Sequence, residues 1–484
     1  MNTFNKKSLY VALAGLGVTG AAQAVNINQD GLGQALVYPY YTTQPILAGV
    51  APNNSLLSVV NSTNTAKVVK VRFLEGKASK EVLDFNLWLS AHDVWTTAII
   101  PSGTGAGIFT VDKSCTTPTV SNSSAAPTNF VNYAFTGSNA DPLPGTLDRT
   151  KEGYVEIIEM GELTGATATA ITHVAGTPPG CATLPTTTQP TDLVAGHGGL
   201  FGSMTIVNVL AGTDVTSDPT PLANFSATTL WAPAGSTQPD LSQVNPPTSV
   251  VFNNTATGSQ VVTTDWAPST NTVDAVSAVL MRDNVYNEFV LDAATKSGTD
   301  WVVTFPTKHF YYGLPNPTVV AVSKLFQRNL TAVGACDDVL ITQYNREEAT
   351  VQSSTSFSPP PPTQTDSVCW EANVITFNNT AVLGSVNQSN ISTTFSNGWV
   401  SINFATTPIH QLTVSGGNGT NTATINVVSG AITSVNRAAA TYIGLPTIGF
   451  AVQTFNNGTI PGASGLIQSS YGGDFGHKYT RNIQ

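Results

Sequence analysis

Alternation with a period of two runs through this chain. Val69-Lys70-Val71-Arg72-Phe73 sets apolar residues against basic ones. Val400-Ser401-Ile402-Asn403-Phe404 and Ala423-Thr424-Ile425-Asn426-Val427 set them against small polar ones. Successive side chains of a strand point to opposite faces, so each run predicts a strand with one buried and one wet face. Apolar runs at 56–60, 82–88, 154–160, 204–210, 301–305 and 374–377 predict further strands, separated by Asn, Gly, Ser and Pro clusters. Residues 286–291 and 300–305 read as a hairpin turning through Lys296-Ser297-Gly298-Thr299. Helical signals are few; Asp274 is placed to cap a short helix running through Ala278 to Met281. The expected fold is all-β, an antiparallel β-sandwich type with long Thr/Asn/Pro-rich loops and a few short helices.

The first 24 residues depart from this pattern. Lys6 and Lys7 precede an apolar run from Leu9 to Val18, and small residues follow, ending in Ala22-Gln23-Ala24. That arrangement predicts a secretory signal peptide cleaved after Ala24. The rest divides into 25–210, 211–335 and 336–484, with soft boundaries in Thr/Pro/Asn-rich stretches. A four-proline rod at 359–362 reads as a stiff, constrained loop. No later segment is apolar enough to span a membrane as a helix, and no lipobox cysteine follows the leader. The terminal Asn482-Ile483-Gln484 lacks the aromatic end of an outer-membrane barrel. Export therefore predicts a secreted or surface-held protein, retained by non-covalent contacts.

Composition sharpens this picture. Charged residues are only 10% of the 484, against roughly 25% in an ordinary soluble domain. Without Lys6 and Lys7, 17 of the 19 basic residues stand against 29 acidic ones, a formal charge of −12. No basic run follows Lys7, which argues against nucleic acid or an anionic membrane as partner. The four cysteines, Cys115, Cys181, Cys336 and Cys369, fit an oxidising compartment. Sequential pairing, Cys115 with Cys181 and Cys336 with Cys369, staples two local loops.

Candidate chemistry is sparse. The chain carries no GxSxG elbow, HExxH, P-loop or GxGxxG fingerprint, so no catalytic residue is assigned. Asn26, Asn28 and Asp30, followed by Gly31, resemble the opening of a calcium loop, but position twelve is Val37 where Glu is needed. An Asx-rich turn is the competing reading, and no other cofactor is implied. Glu152, Glu156, Glu159 and Glu162 cluster at strand spacing and read as a solvated face. Tyr38-Pro39-Tyr40-Tyr41 predicts an edge strand or bulge, since proline cannot donate to a ladder. Its tyrosines either pack on the core or form a contact surface at Tyr38, Tyr40 and Tyr41. His309-Phe310-Tyr311-Tyr312 poses the same choice.

Several segments together resemble a known group. They include Gly33-Gln34-Ala35-Leu36-Val37-Tyr38-Pro39-Tyr40-Tyr41-Thr42, Val69-Lys70-Val71-Arg72-Phe73-Leu74-Glu75-Gly76 and Thr299-Asp300-Trp301-Val302-Val303-Thr304-Phe305-Pro306. Gly444-Leu445-Pro446 and Tyr471-Gly472-Gly473 extend the resemblance to the far end. The pattern is similar to exported proteobacterial proteins described as cell-surface or surface-layer-like, of unknown function. The resemblance implies a Gram-negative host and a surface location, and it transfers no catalytic residue. The leading expectation is a non-enzymatic structural or assembly protein, a surface-layer or filament subunit that self-associates or joins other surface components. Residues 25–47 are then a candidate donor strand. The alternatives are an adhesin or glycan binder using exposed aromatics, and an extracellular hydrolase with acids brought together by the fold.

Overall fold

A computed structural model describes residues 23–46, 52–255, 258–267, 271–312, 325–326, 328–352, 366–406, 409–413, 422–428, 431–437, 440–462 and 465–484. Residues 1–22 of the expected leader and the 359–362 proline rod lie outside these. The protein is all-β with mainly antiparallel sheets, and the alternating runs named above lie in strands, save Phe404, which falls just past the end of Asn397–Asn403. Most of the mass sits in two sandwiches.

The N-terminal sandwich pairs an outer with an inner sheet. The outer sheet runs Thr213–Ser217, Leu200–Asn208, Asn54–Asn61, Val94–Ser102, Gly105–Phe109, Thr128–Asn129. The inner sheet centres on Ala35–Thr42, Glu152–Leu163, Ala66–Glu75 and Glu81–Leu89. Leu57, Val59, Trp95 and Ile99 of the outer sheet meet Val69, Val71, Phe73 and Ile157 of the inner one in a closed core. The C-terminal sandwich has its own inner sheet, with Gly298–Thr304 between Ala372–Phe377 and Ile448–Gly462. Its outer sheet places Asn397–Asn403 between Asp337–Asn345 and Asn284–Val290.

Both inner sheets are covered on two faces. The C-terminal core continues onto Ala35, Val37, Tyr154 and Ile158, on the far side of the inner N-terminal sheet. Val302, Val374 and Phe450, on the far side of the inner C-terminal sheet, pack with Tyr40, Ile206 and Val215. The two outer sheets each keep a face in solvent, as their alternating burial records.

Several expectations change. The strand pairing crosses the boundary expected at 335/336, because Gly298–Thr304 and Asn284–Val290 find their partners after residue 370. Thr213–Ser217 and Thr220–Ala223 belong to the N-terminal sheets. The predicted hairpin is an arch: Asn284–Val290 and Gly298–Thr304 enter different sheets. Every residue of Gly298–Thr304 is buried, and its ladder groups are taken by other strands. Thr299 Oγ1 spans the arch instead, bonding both N and O of Val290 at 3.0 Å. The short helix forms at Asp274–Leu280, but Asp274 is its first residue, and its carboxylate accepts the Tyr311 hydroxyl at 2.7 Å.

The largest correction concerns charge. Glu152, Glu156, Glu159 and Glu162 are buried, as are Lys67, Lys70 and Arg72. The cations pair with Glu156, Glu159 and Glu162 across the sheet, whereas Glu152 accepts the hydroxyls of Tyr40 and Ser385. Lys67 Nζ lies 2.6 Å from Glu159 and 2.8 Å from Glu162. Arg72 bridges Glu81 at 2.7 Å and Glu156 at 2.6 Å, and Lys70 pairs with Asp84. The connecting segments around Gly198 and 233–235 cover this layer: Gly198 N–H donates to Glu159, Gly235 N–H to Asp84, and Lys70 to Pro233 O. Such a face reads as wet in sequence because an isolated buried charge is prohibitively costly, whereas a paired one is not.

Both disulfides are formed, Cys115–Cys181 and Cys336–Cys369. The first ties the edge of the inner N-terminal sheet to the loop after the Ala166–Ile171 helix, beside Trp88 and Met160.

Candidate interaction surfaces

The tyrosine segment is not a contact surface. Ala35–Thr42 lies inside the inner N-terminal sheet, between Thr220–Ala223 and Glu152–Leu163, so its edge-strand assignment is corrected. Pro39 is accommodated by a register shift opposite Tyr154, and the neighbouring ladder stops at Val37. Tyr38, Tyr40 and Tyr41 are fully buried, and each hydroxyl finds an acceptor: Ser58 O at 2.7 Å, Glu152 Oε2 at 2.7 Å and Thr150 O at 3.1 Å. Rings with satisfied hydroxyls are stable in a core, which is where the sandwich puts them. Residues 26–27 pair with 222–223, so the proposed donor segment is consumed within its own chain. Phe310 and Tyr311 likewise turn toward the C-terminal core.

The asparagines of the calcium-like loop build a turn. Asn28 Oδ1 accepts Asp30 N–H at 3.0 Å, its Nδ2 donates to Leu32 O at 2.8 Å, and Asn26 Nδ2 donates to Ala24 O. Among the described residues, no group of three or more His, Cys, Asp or Glu is placed to hold a metal. Nor is any described helix long and apolar enough to cross a membrane.

Each of the two outer sheets carries exposed apolar side chains on its solvent face. On the N-terminal one, cross-strand register lines up Phe201, Val60 and Val94 in one row, Ser203, Ser58 and Thr96 in the next, and Thr205, Leu56, Ala98 and Phe109 in a third. Leu56 is 45% exposed, Val94 47% and Phe201 41%. Ser58 and Ser203 hydroxyls meet at 3.1 Å, and Thr205 and Thr216 at 2.8 Å, so these polar groups are partly satisfied by one another. A shallow groove of about 340 Å³ crosses this face between Leu56, Ser58, Ala98, Phe109 and Val111.

On the C-terminal outer sheet the aromatic rings gather. Trp399 stands opposite Tyr344 on one neighbouring strand and Glu288 on the other. Tyr344 stacks on Trp399 with centroids 4.0 Å apart and planes 7° apart, and Tyr286 leans on it from 6.2 Å. Trp399 and Leu340 stay 39% exposed. The result is a low aromatic ridge, bordered by Thr342, Ser401 and Asn403. Exposed Glu288 and Lys478 lie beside it.

Sequence reasoning missed this ridge. The signal was present in part: alternation puts Trp399 on the same wet face as Ser401 and Asn403. Tyr344 and Tyr286 join it only through strand register. The chain matches no protein-family model, no curated protein and no solved structure.

Proposed function

We propose that this is a non-enzymatic, exported cell-surface structural protein whose copies associate through the two outer-sheet faces, as subunits of a layer or filament. The resemblance to exported proteobacterial surface proteins is part of the same proposal. The observation that carries it is the pair of unlike exposed faces, one on each sandwich, each with exposed apolar side chains at its centre. A contact between unlike faces leaves one free face on each partner, so it repeats into rings or open arrays. The ridge and the groove supply one such pair, and sparse surface charge keeps repulsion between copies weak. A glycan-stacking role needs free ring faces, and Tyr344 already covers one face of Trp399.

Sedimentation velocity over a range of concentrations tests the reading. Wild-type protein is expected to form species larger than a dimer. Trp399→Ser and Leu56→Ser should each lower the association constant by roughly thirty-fold, about 2 kcal/mol, while keeping the fold. Mixed together, the two variants should stop at one-to-one dimers, since one retains only its groove and the other only its ridge. Monomer at every concentration would overturn assembly, and a glycan array lit by wild type and dark for Trp399→Ser would favour the adhesin alternative.

A further inference from the structure

We infer that the leader is cut between Ala22 and Gln23, two residues before the A-x-A exit indicates, so that Gln23 begins the exported protein. The inference rests on the reading of the chain as exported. A signal-peptide exit needs small residues one and three positions before the cut. Gly20-Ala21-Ala22 meets that requirement as well as Ala22-Gln23-Ala24 does, so sequence alone allows both cuts. The fold separates them.

Ala24 and Val25 are both fully buried. The Val25 N–H donates to Thr248 O at 2.8 Å, and Val25 O accepts Val250 N–H at 2.9 Å, forming a parallel bridge beside Ser249. The Val25 side chain lies in the main core. The Ala24 methyl packs on Val250 and Val261, and its carbonyl accepts Asn26 Nδ2 at 3.1 Å. A cut after Ala24 would turn the buried Val25 amide into an ammonium stripped of water, an unfavourable transfer for a charge. It would also delete the Ala24 contact and leave Asn26 without that acceptor. Gln23 is exposed, so an ammonium there keeps its hydration and the bridge stays whole. An N-terminal glutamine can then close on itself: the α-amine attacks its side-chain amide carbon, a C–N bond forms, and ammonia leaves. The new terminus becomes a neutral lactam.

The test is intact-mass and N-terminal peptide analysis of full precursor expressed in a Gram-negative host and recovered outside the cytoplasm. A chain starting at Gln23, free or as the lactam, supports the inference, and one starting at Val25 overturns it. An uncut chain held in the cytoplasm overturns the export reading instead. Two variants read in pulse-labelled precursor do not depend on folding. Gly20→Leu puts a bulky residue three positions before the inferred cut and should slow processing at least about tenfold. Ala24→Leu, lying beyond that cut, should be processed at the wild-type rate. The reverse pair of results overturns the assignment.

Discussion

Replacing Arg72 with methionine should lower the free energy of unfolding at pH 7 by about 3–5 kcal/mol, read as a shift in the urea midpoint. Methionine keeps much of the volume, so the loss measures charge rather than a cavity. Arg72 is buried between Glu81 and Glu156, and Glu156 is wholly shielded from water. Burial alone would weaken the guanidinium's hold on its proton, and the Glu156 and Glu81 carboxylates more than reverse this. Burial pushes both carboxylates up even with the arginine present. Without it they must either ionise unpaired or take up protons. A carboxylate whose folded pKa is raised stabilises the fold below its unfolded value and loses that contribution as pH rises through the folded one. The deficit of the variant should therefore shrink on acidification. Adding Glu81→Gln and Glu156→Gln should recover most of the loss, because a neutral layer carries no orphaned charge. If Arg72→Met costs less than about 1 kcal/mol, the residue behaves as a surface ion pair and the buried charge layer is disproved.

The second large effect concerns two buried groups with opposite signs. His477 is buried against Trp301, and burial first, then the Arg282 charge, drives its pKa down to about 4 despite a bond to Val302 O. The neutral ring fits its site: Nε2 lies 2.9 Å from Val302 O as a donor, and Nδ1 lies 3.1 Å from Asn287 Nδ2 as an acceptor. Protonating Nδ1 would set two donors face to face. The unfolded chain binds this proton more readily, so stability falls as pH drops from about 6.5 to about 4, by about 3 kcal/mol in all.

Asp300, on the strand that carries Trp301 and Val302, is raised by burial to about 6, with the Leu383 N–H only partly opposing. Here the folded state holds the proton better. Its contribution is present below about 3.8 and lost as pH rises to about 6, again by about 3 kcal/mol. The two slopes overlap and oppose one another. Denaturant midpoints between pH 4 and 7 should show each by subtraction. Relative to wild type, His477→Gln gains stability toward acid, and Asp300→Asn gains it toward neutrality. Parallel curves for wild type and His477→Gln would mean that the imidazole is hydrated and not buried.

How much of this was legible follows from where the information lies. Period-two alternation is local, so strands such as Asn54–Asn61, Glu81–Leu89 and Asn397–Asn403 could be read directly. The cysteine spacing was legible in the same way, because each disulfide closes a separate loop. Burial of a charge is not local. Arg72 and Glu156 stand 84 positions apart and meet only because antiparallel register sets them side by side. Each alone looks like a residue for water.

Aromatic residues failed in the opposite direction. Tyr38-Pro39-Tyr40-Tyr41 looked like a surface because it is conspicuous in one stretch, yet the inner sheet is covered on both sides and takes its rings into the core. Trp399 looked ordinary, yet among the described residues no layer covers it, and Tyr344 arrives from 55 positions away to build the ridge.

The sequence by itself therefore determined the β character of the chain, its disulfide-linked loops and the alternation that assigns each strand an inner and an outer side. Tertiary structure alone decided which outer sides meet another layer and which meet solvent. Alternation reports that two faces differ, whereas stacking of whole sheets, set by contacts hundreds of residues apart, decides what each face touches.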